Sequence, residues 1–147
     1  MIDRIDERRE AALRSAIERF YFAYRAFTAG PDRILEQRGL GRVHHRILYF
    51  IGRQPGAPVS ALLATLGITK QALNAPLRQL VEMKLVAGET PAHDRRVKHL
   101  ALTPAGAKLE ARLTGTQMKL LDAVFGAEGR AAEEAWHRIM QAIPGQS

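Results

Sequence analysis

Between Val59 and Val86 the chain is punctuated more tightly than anywhere else. VSALLATL has the length and leucine content of a short helix, and Gly67 follows where a helix end takes up left-handed backbone. Ile68 then plugs the corner, and Thr69 is placed to cap a second helix within KQALNAPLRQLVEMKLV. Helix, glycine-containing turn and capped helix form a helix-turn-helix. Two strand-like segments follow, Leu85–Glu89 and Val97–Leu102, with Leu100 and Leu102 on one face. The loop between them contains Pro91 and Asp94-Arg95-Arg96, which is too basic to pack inside and reads as a protruding wing.

The second helix divides into two faces at 100° per residue. Leu73, Leu77 and Leu80 point one way; Gln71, Asn74, Ala75 and Arg78 point the other, with Lys70 on a flank. Amide side chains can bond bidentately to adenine and a small methyl can touch thymine, so such a face suits a major groove. A solvated amphipathic helix has the same pattern. Pro76 complicates the helix, because it removes the bond from its own nitrogen to the Ala72 carbonyl. Either the helix starts at Lys70 and bends near Ala72, or it starts near Ala75 with Asn74 as its cap. The capping threonine and the continuing leucine spacing favour the first.

Long helices are expected on both sides. Leu13, Ile17, Phe20, Tyr24 and Phe27 form one apolar stripe from about Asp6 to Ala29, with Gly30-Pro31 expected to end the helix. That stripe has more apolar surface than one small neighbour covers and is read as part core, part contact with a second chain. Asp32–Gln37 is read as a short turn, Arg42–Ile51 as a helix and Gly52–Pro58 as a loop. Thr103-Pro104 restarts a helix as cap and first-turn proline, with Leu109, Leu113, Leu120, Leu121 and Val124 inward. A break is expected over Gly126–Gly129. A last helix, Arg130 to Ala142, is expected to bury Ala132, Trp136, Ile139 and Ile143.

Charge locates the partner. Residues 29–99 hold 11 of the 22 Lys+Arg but only 5 of the 15 Asp+Glu, and so +6 of the net +7. A polyanion would dock on this middle part, and nucleic acid is the obvious one. No apolar run reaches the length of a membrane span, the charged N-terminus lacks a signal core, and there are no cysteines. A cytoplasmic chain with no membrane partner is expected.

Taken together, LLATLGITKQALNAPLRQLVEMKLV, the wing Asp94-x-Arg96 and the following Leu102-Thr103-x-x-Gly106 resemble the MarR family of winged-helix transcription regulators. The resemblance covers about residues 40–113. It implies a mainly α fold with a small β-hairpin wing: a winged helix-turn-helix lobe over 40–103, and dimerisation helices over 1–30 and 104–147. It also implies a homodimer whose lobes enter successive major grooves of a near-palindromic operator on double-stranded DNA. Many such proteins are repressors released by a small ligand held where the dimer helices meet the lobe. Pro76 stands where the family usually has an ordinary helix former, and Lys84 where it usually has glycine.

The residues expected to contact DNA are Thr69, Lys70, Gln71, Asn74, Ala75, Arg78, Arg95, Arg96 and Lys98, with Asp94 bracing an arginine of the wing. Phe20, Tyr24, Phe27, His44, His45 and Arg46 are candidates to enclose a small aromatic or anionic ligand; the alternative is that the aromatics simply pack. No phosphate loop or catalytic constellation is present, and the five histidines lack metal-ligand spacing. No cofactor, metal or catalytic residue is therefore assigned. A winged-helix protein-interaction module, or a DNA-binding protein that ignores ligands, remains the alternative to a ligand-responsive regulator.

Overall fold

The computed structural model describes residues 6–89 and 99–146. Helix α1 spans Glu7–Glu36, α2 Arg42–Arg53, α3 Val59–Leu66, α4 Lys70–Glu82, α5 Pro104–Glu128 and α6 Arg130–Ala142. Three short strands, β1 (Ala57–Pro58), β2 (Val86–Glu89) and β3 (His99–Leu102), form an antiparallel sheet in the order β1-β3-β2. The register pairs Val86 with Leu102 and Glu89 with His99, while Ala57 pairs with Leu100. This is the mainly helical winged helix-turn-helix anticipated from the sequence. The wing residues Asp94, Arg95, Arg96 and Lys98 lie outside the described residues.

Local chemistry sets the helix starts. Asp6 caps α1 by accepting from the Arg9 amide at 2.8 Å, and Thr69 caps α4 by accepting from the Ala72 amide at 3.1 Å. Gln71 and Ala72 are helical, so α4 starts at Lys70 and continues through Pro76. Gly67, at φ 65°, closes α3 in the left-handed conformation. The α4 end is built the same way around Lys84, a non-glycine residue at φ 61°. There the Lys84 amide donates to the Val81 carbonyl at 3.0 Å and the Leu85 amide to the Leu80 carbonyl at 2.9 Å. These paired bonds satisfy the last carbonyls of α4 at the cost of a left-handed lysine.

One core holds the lobe together. It joins Leu35 of α1, Ile47, Leu48 and Ile51 of α2, Leu62 of α3, Leu73 and Leu80 of α4, Leu100 of β3, and Leu109 and Leu113 of α5. Thr103 and Gly106 seat α5 on this lobe. The Thr103 hydroxyl accepts from the Gly106 amide at 3.0 Å and donates to the Lys84 carbonyl at 2.7 Å. The Thr103 amide donates to the Leu85 carbonyl at 3.1 Å. A Cβ on Gly106 would lie 1.9 Å from that same carbonyl oxygen.

Several expectations are corrected. Gly30-Pro31 does not end α1, and Asp32–Gln37 is not a separate turn; the helix runs on to Glu36. Pro31 leaves the Phe27 carbonyl without its helical donor, and the Gln117 side chain supplies one at 3.4 Å. Gly30 meets Thr116 at a distance that a Cβ would make tight, 3.2 Å. The break expected over Gly126–Gly129 is present and falls at its last residue: α5 runs through Gly126 to Glu128, and Gly129 at φ 99° separates it from α6. Gly52–Pro58 is not all loop: Ala57-Pro58 adds an edge strand, where proline's missing donor is tolerated. Finally, α6 buries none of its expected residues within one chain. Ala132, Trp136, Ile139 and Ile143 are all exposed, and Leu120 and Val124 of α5 are exposed too.

Two substitutions test the α4–α5 junction. Gly106→Ala should lower the free energy of unfolding by about 3 kcal/mol in a urea titration, because backbone must move to admit the methyl. Lys84→Gly should raise it by about 1 kcal/mol by relieving the left-handed lysine.

Candidate nucleic-acid interface and adjoining cleft

Helix α4 presents the expected face. Lys70, Gln71, Asn74, Ala75 and Arg78 are exposed, while Leu73 and Leu80 are buried against the core and Leu77 is half-buried. Thr69, also exposed, uses its hydroxyl oxygen in the cap. Two amides, one small residue and two cations thus stand in a row on the solvent side of a helix whose opposite side is fixed.

Helix α2 lies behind this helix and anchors it. The His44 Nδ1 accepts from the Gly41 amide at 2.9 Å, which leaves the proton of the neutral ring on Nε2. Nε2 therefore donates to Gln79 Oε1 on α4, at 2.8 Å. The Gln79 amide nitrogen in turn reaches the Gly39 carbonyl at 3.4 Å. His44 was expected at the ligand pocket; it is buried on the opposite side of α2, against α4.

The neighbouring residues of α2 face a cleft of about 320 Å³ between α1, α2 and α5. Tyr24, Phe27, His45 and Arg46 line it, as the sequence suggested. Phe20 does not; it lines an adjoining apolar cleft with Val124 and Trp136, of which Tyr24 and Phe27 form the shared wall. Asp32, Arg42, Thr114 and Gln117 also line the first cleft and were not anticipated. Arg42 makes a two-pronged ion pair with Asp32, at 3.0 Å and 3.1 Å to one carboxylate oxygen and 3.3 Å to the other. Its guanidinium also lies 5.8 Å from the Tyr24 ring centroid. Asp32, ten residues away across the α1–α2 turn, gives no sequence signal for this pairing. The Arg46 guanidinium donates to the Tyr24 hydroxyl at 3.0 Å.

His45 is buried at the cleft floor. The Thr114 hydroxyl donates its only proton to Glu110, so it accepts from His45 Nε2 at 3.0 Å. Burial holds the His45 imidazole below the 6.5 of a free histidine, with the Glu110 charge opposing that effect. The cleft combines cationic and aromatic walls with one polar floor, a pattern suited to a small anionic aromatic molecule. Among the described residues no cluster of His, Asp and Glu could hold a metal ion. No helix there is long and apolar enough to cross a membrane.

A paired-helix lobe with a capped outer helix, a three-stranded wing sheet and long flanking helices defines a winged helix-turn-helix protein. The sequence model described as MarR family matches residues 38–97. The HTH-type transcriptional regulator PetP of Rhodobacter capsulatus is 44% identical over 131 residues, covering 89% of this chain and 79% of PetP. The chain belongs to the MarR family and is a transcriptional regulator. Solved structures share its fold. FabT of Streptococcus pneumoniae in complex with DNA aligns with a TM-score of 0.78 at 14% identity, over 88% of this chain and 92% of that one. Staphylococcus aureus MarR in complex with salicylate and kanamycin aligns at 0.73 and 23% identity, over 90% and 89%.

The buried imidazole has a pH signature. The native state binds the His45 proton less readily than the unfolded chain, so stability falls as pH drops below about 6.5 and is unaffected by this group above it. In urea titrations between pH 7.5 and 5, His45→Gln should show a shallower acid decline than the unsubstituted protein. An identical decline in both would exclude His45 as its source.

Proposed function

We propose that this regulator binds double-stranded DNA as a homodimer, with α4 of each chain in a major groove of a near-palindromic operator. The observation that carries this reading is the exposed row Gln71, Asn74, Ala75 and Arg78, backed by the buried Leu73 and Leu80. Lys70 and the capped start of α4 are suited to phosphate, and Asn74 to a base edge. Arg95, Arg96 and Lys98 of the wing are assigned to the flanking minor groove, where the potential is most negative, with Asp94 bracing one arginine.

The division of labour is proposed as 40–103 for the DNA-binding lobe, with 1–30 and 104–147 for dimerisation. The distribution of burial supports it. On α1 the buried residues are Thr28, Pro31 and Leu35; on α5 they are Gly106, Leu109, Leu113 and Thr114. Away from these, apolar residues of α1 and α5 and those of α6 are uncovered, including Ile17 of α1 at 68% exposure and Ile139 of α6 at 62%. A second copy is the natural cover for such a surface.

The mode of action is proposed as repression, released by a small aromatic or anionic ligand in the cleft. Arg42 and Arg46 would meet a carboxylate, and Tyr24 and Phe27 a ring, while His45, whose one ring proton is committed to Thr114, shapes the floor. S. aureus MarR, of the same fold, was solved with salicylate, which makes that compound the first probe.

Selection of bound genomic fragments by the purified protein should return a site with two-fold symmetry. Against that site, Asn74→Ala should cost about 1–3 kcal/mol while affinity for unrelated duplex is nearly unchanged. Equal losses on both would remove Asn74 from base reading. Salicylate should raise the melting temperature of the unsubstituted protein but not that of Arg46→Ala. No shift in either would remove the cleft from the mechanism.

A further inference from the structure

A recognition helix reads bases only if its rotation and pitch are fixed, and apolar packing alone fixes them loosely. Leucines accept small rotations at little cost, whereas a directional hydrogen bond does not. Among the described residues, α4 has one side-chain hydrogen-bond link to the helices behind it, at Gln79. This residue is half-buried and adjoins Arg78 on the reading face. Its oxygen accepts from His44 Nε2 at 2.8 Å, and its nitrogen donates to the Gly39 carbonyl at 3.4 Å. His44 cannot turn away freely, because Nδ1 is engaged by the Gly41 amide at 2.9 Å. The chain of bonds therefore runs from the first turn of α2 into the last turn of α4.

We propose that the His44–Gln79 pair is a positioning element that sets the aim of α4 and so contributes to operator discrimination without touching DNA. This rests on the reading that α4 contacts bases. The pair is internal, so its loss changes where Asn74 and Arg78 arrive in the groove and leaves their chemistry intact. Non-specific binding depends on the number of phosphate contacts rather than on base register, and it is spared.

The test is the ratio of affinities for the selected operator and a scrambled duplex, measured with unfolding curves on the same preparations. Gln79→Leu keeps the volume and removes both bonds. His44→Gln keeps an acceptor for the Gly41 amide, as glutamine does at the third position of a capped helix, and gives up the ring's fixed reach. Each should lower the ratio roughly tenfold, equivalent to one misread base pair, with the scrambled-duplex affinity and its salt slope unchanged. The double substitution should lose no more than either single one, as for two members of one interaction. Gln79→Glu retains the acceptor for His44 and should restore the ratio, although its charge weakens binding to both duplexes. A ratio preserved in folded Gln79→Leu and His44→Gln, or losses that add in the double variant, would overturn the positioning role alone. Absence of discrimination in the unsubstituted protein would overturn the base-reading assignment of α4, and this inference with it.

Discussion

The close approach of Gly106 to the Leu85 carbonyl oxygen is the contact on which the rest of the architecture depends. It brings four element ends to one point: the end of α4, the start of β2, the end of β3 and the first turn of α5. Thr103 ties them by accepting from Gly106 and donating to Lys84. Helix α5 then leaves this point and runs for 25 residues, about 37 Å at 1.5 Å per residue. Any rotation at the junction is magnified along that length. The angle between α4 and the far end of α5 is therefore set by a contact that only glycine permits.

Burial changes character along the same helix. Near the junction α5 closes the lobe's core with Leu109 and Leu113. Past Thr114 its apolar residues are largely uncovered, as are those of the first half of α1 and all of α6. The chain thus carries two apolar systems, one complete and one open. The cleft with Arg42, His45 and Arg46 lies between them, against α1, α2 and α5. An occupant there would touch helices of both systems. His44 and His45, adjacent in sequence, face opposite sides of this boundary: one bonds α4, the other α5.

Local chemistry made much of the lobe legible from the sequence. Gly67, Thr69 and Thr103 act within a few residues of themselves, so their capping roles could be read directly. The leucine spacing of α4 gave its faces and outweighed Pro76. Long-range effects were not legible. Gly30-Pro31 carries every local signal of a helix end, yet a side chain 86 residues beyond Pro31, Gln117, satisfies the carbonyl that the proline strands. Periodicity placed Phe20, Tyr24 and Phe27 on one stripe but could not show that Tyr24 and Phe27 reach the polar cleft and Phe20 does not. Nor could it tell which of His44 and His45 turned toward α4. Trp136 and Ile139 read as core because their spacing is that of an amphipathic helix, and spacing does not say whether the covering surface belongs to the same chain.

On the proposed reading, two copies of α4 coupled rigidly through α5 and the open apolar surfaces would engage half-sites at a fixed distance. The most direct test is the affinity of the full-length protein for its selected operator after five base pairs, about half a helical turn, are inserted between the half-sites. A rigid dimer predicts a fall to the level of a scrambled duplex, with recovery limited even when the insertion is lengthened to ten. Unchanged affinity for the five-base-pair insertion would contradict it, and would mean that each lobe binds on its own.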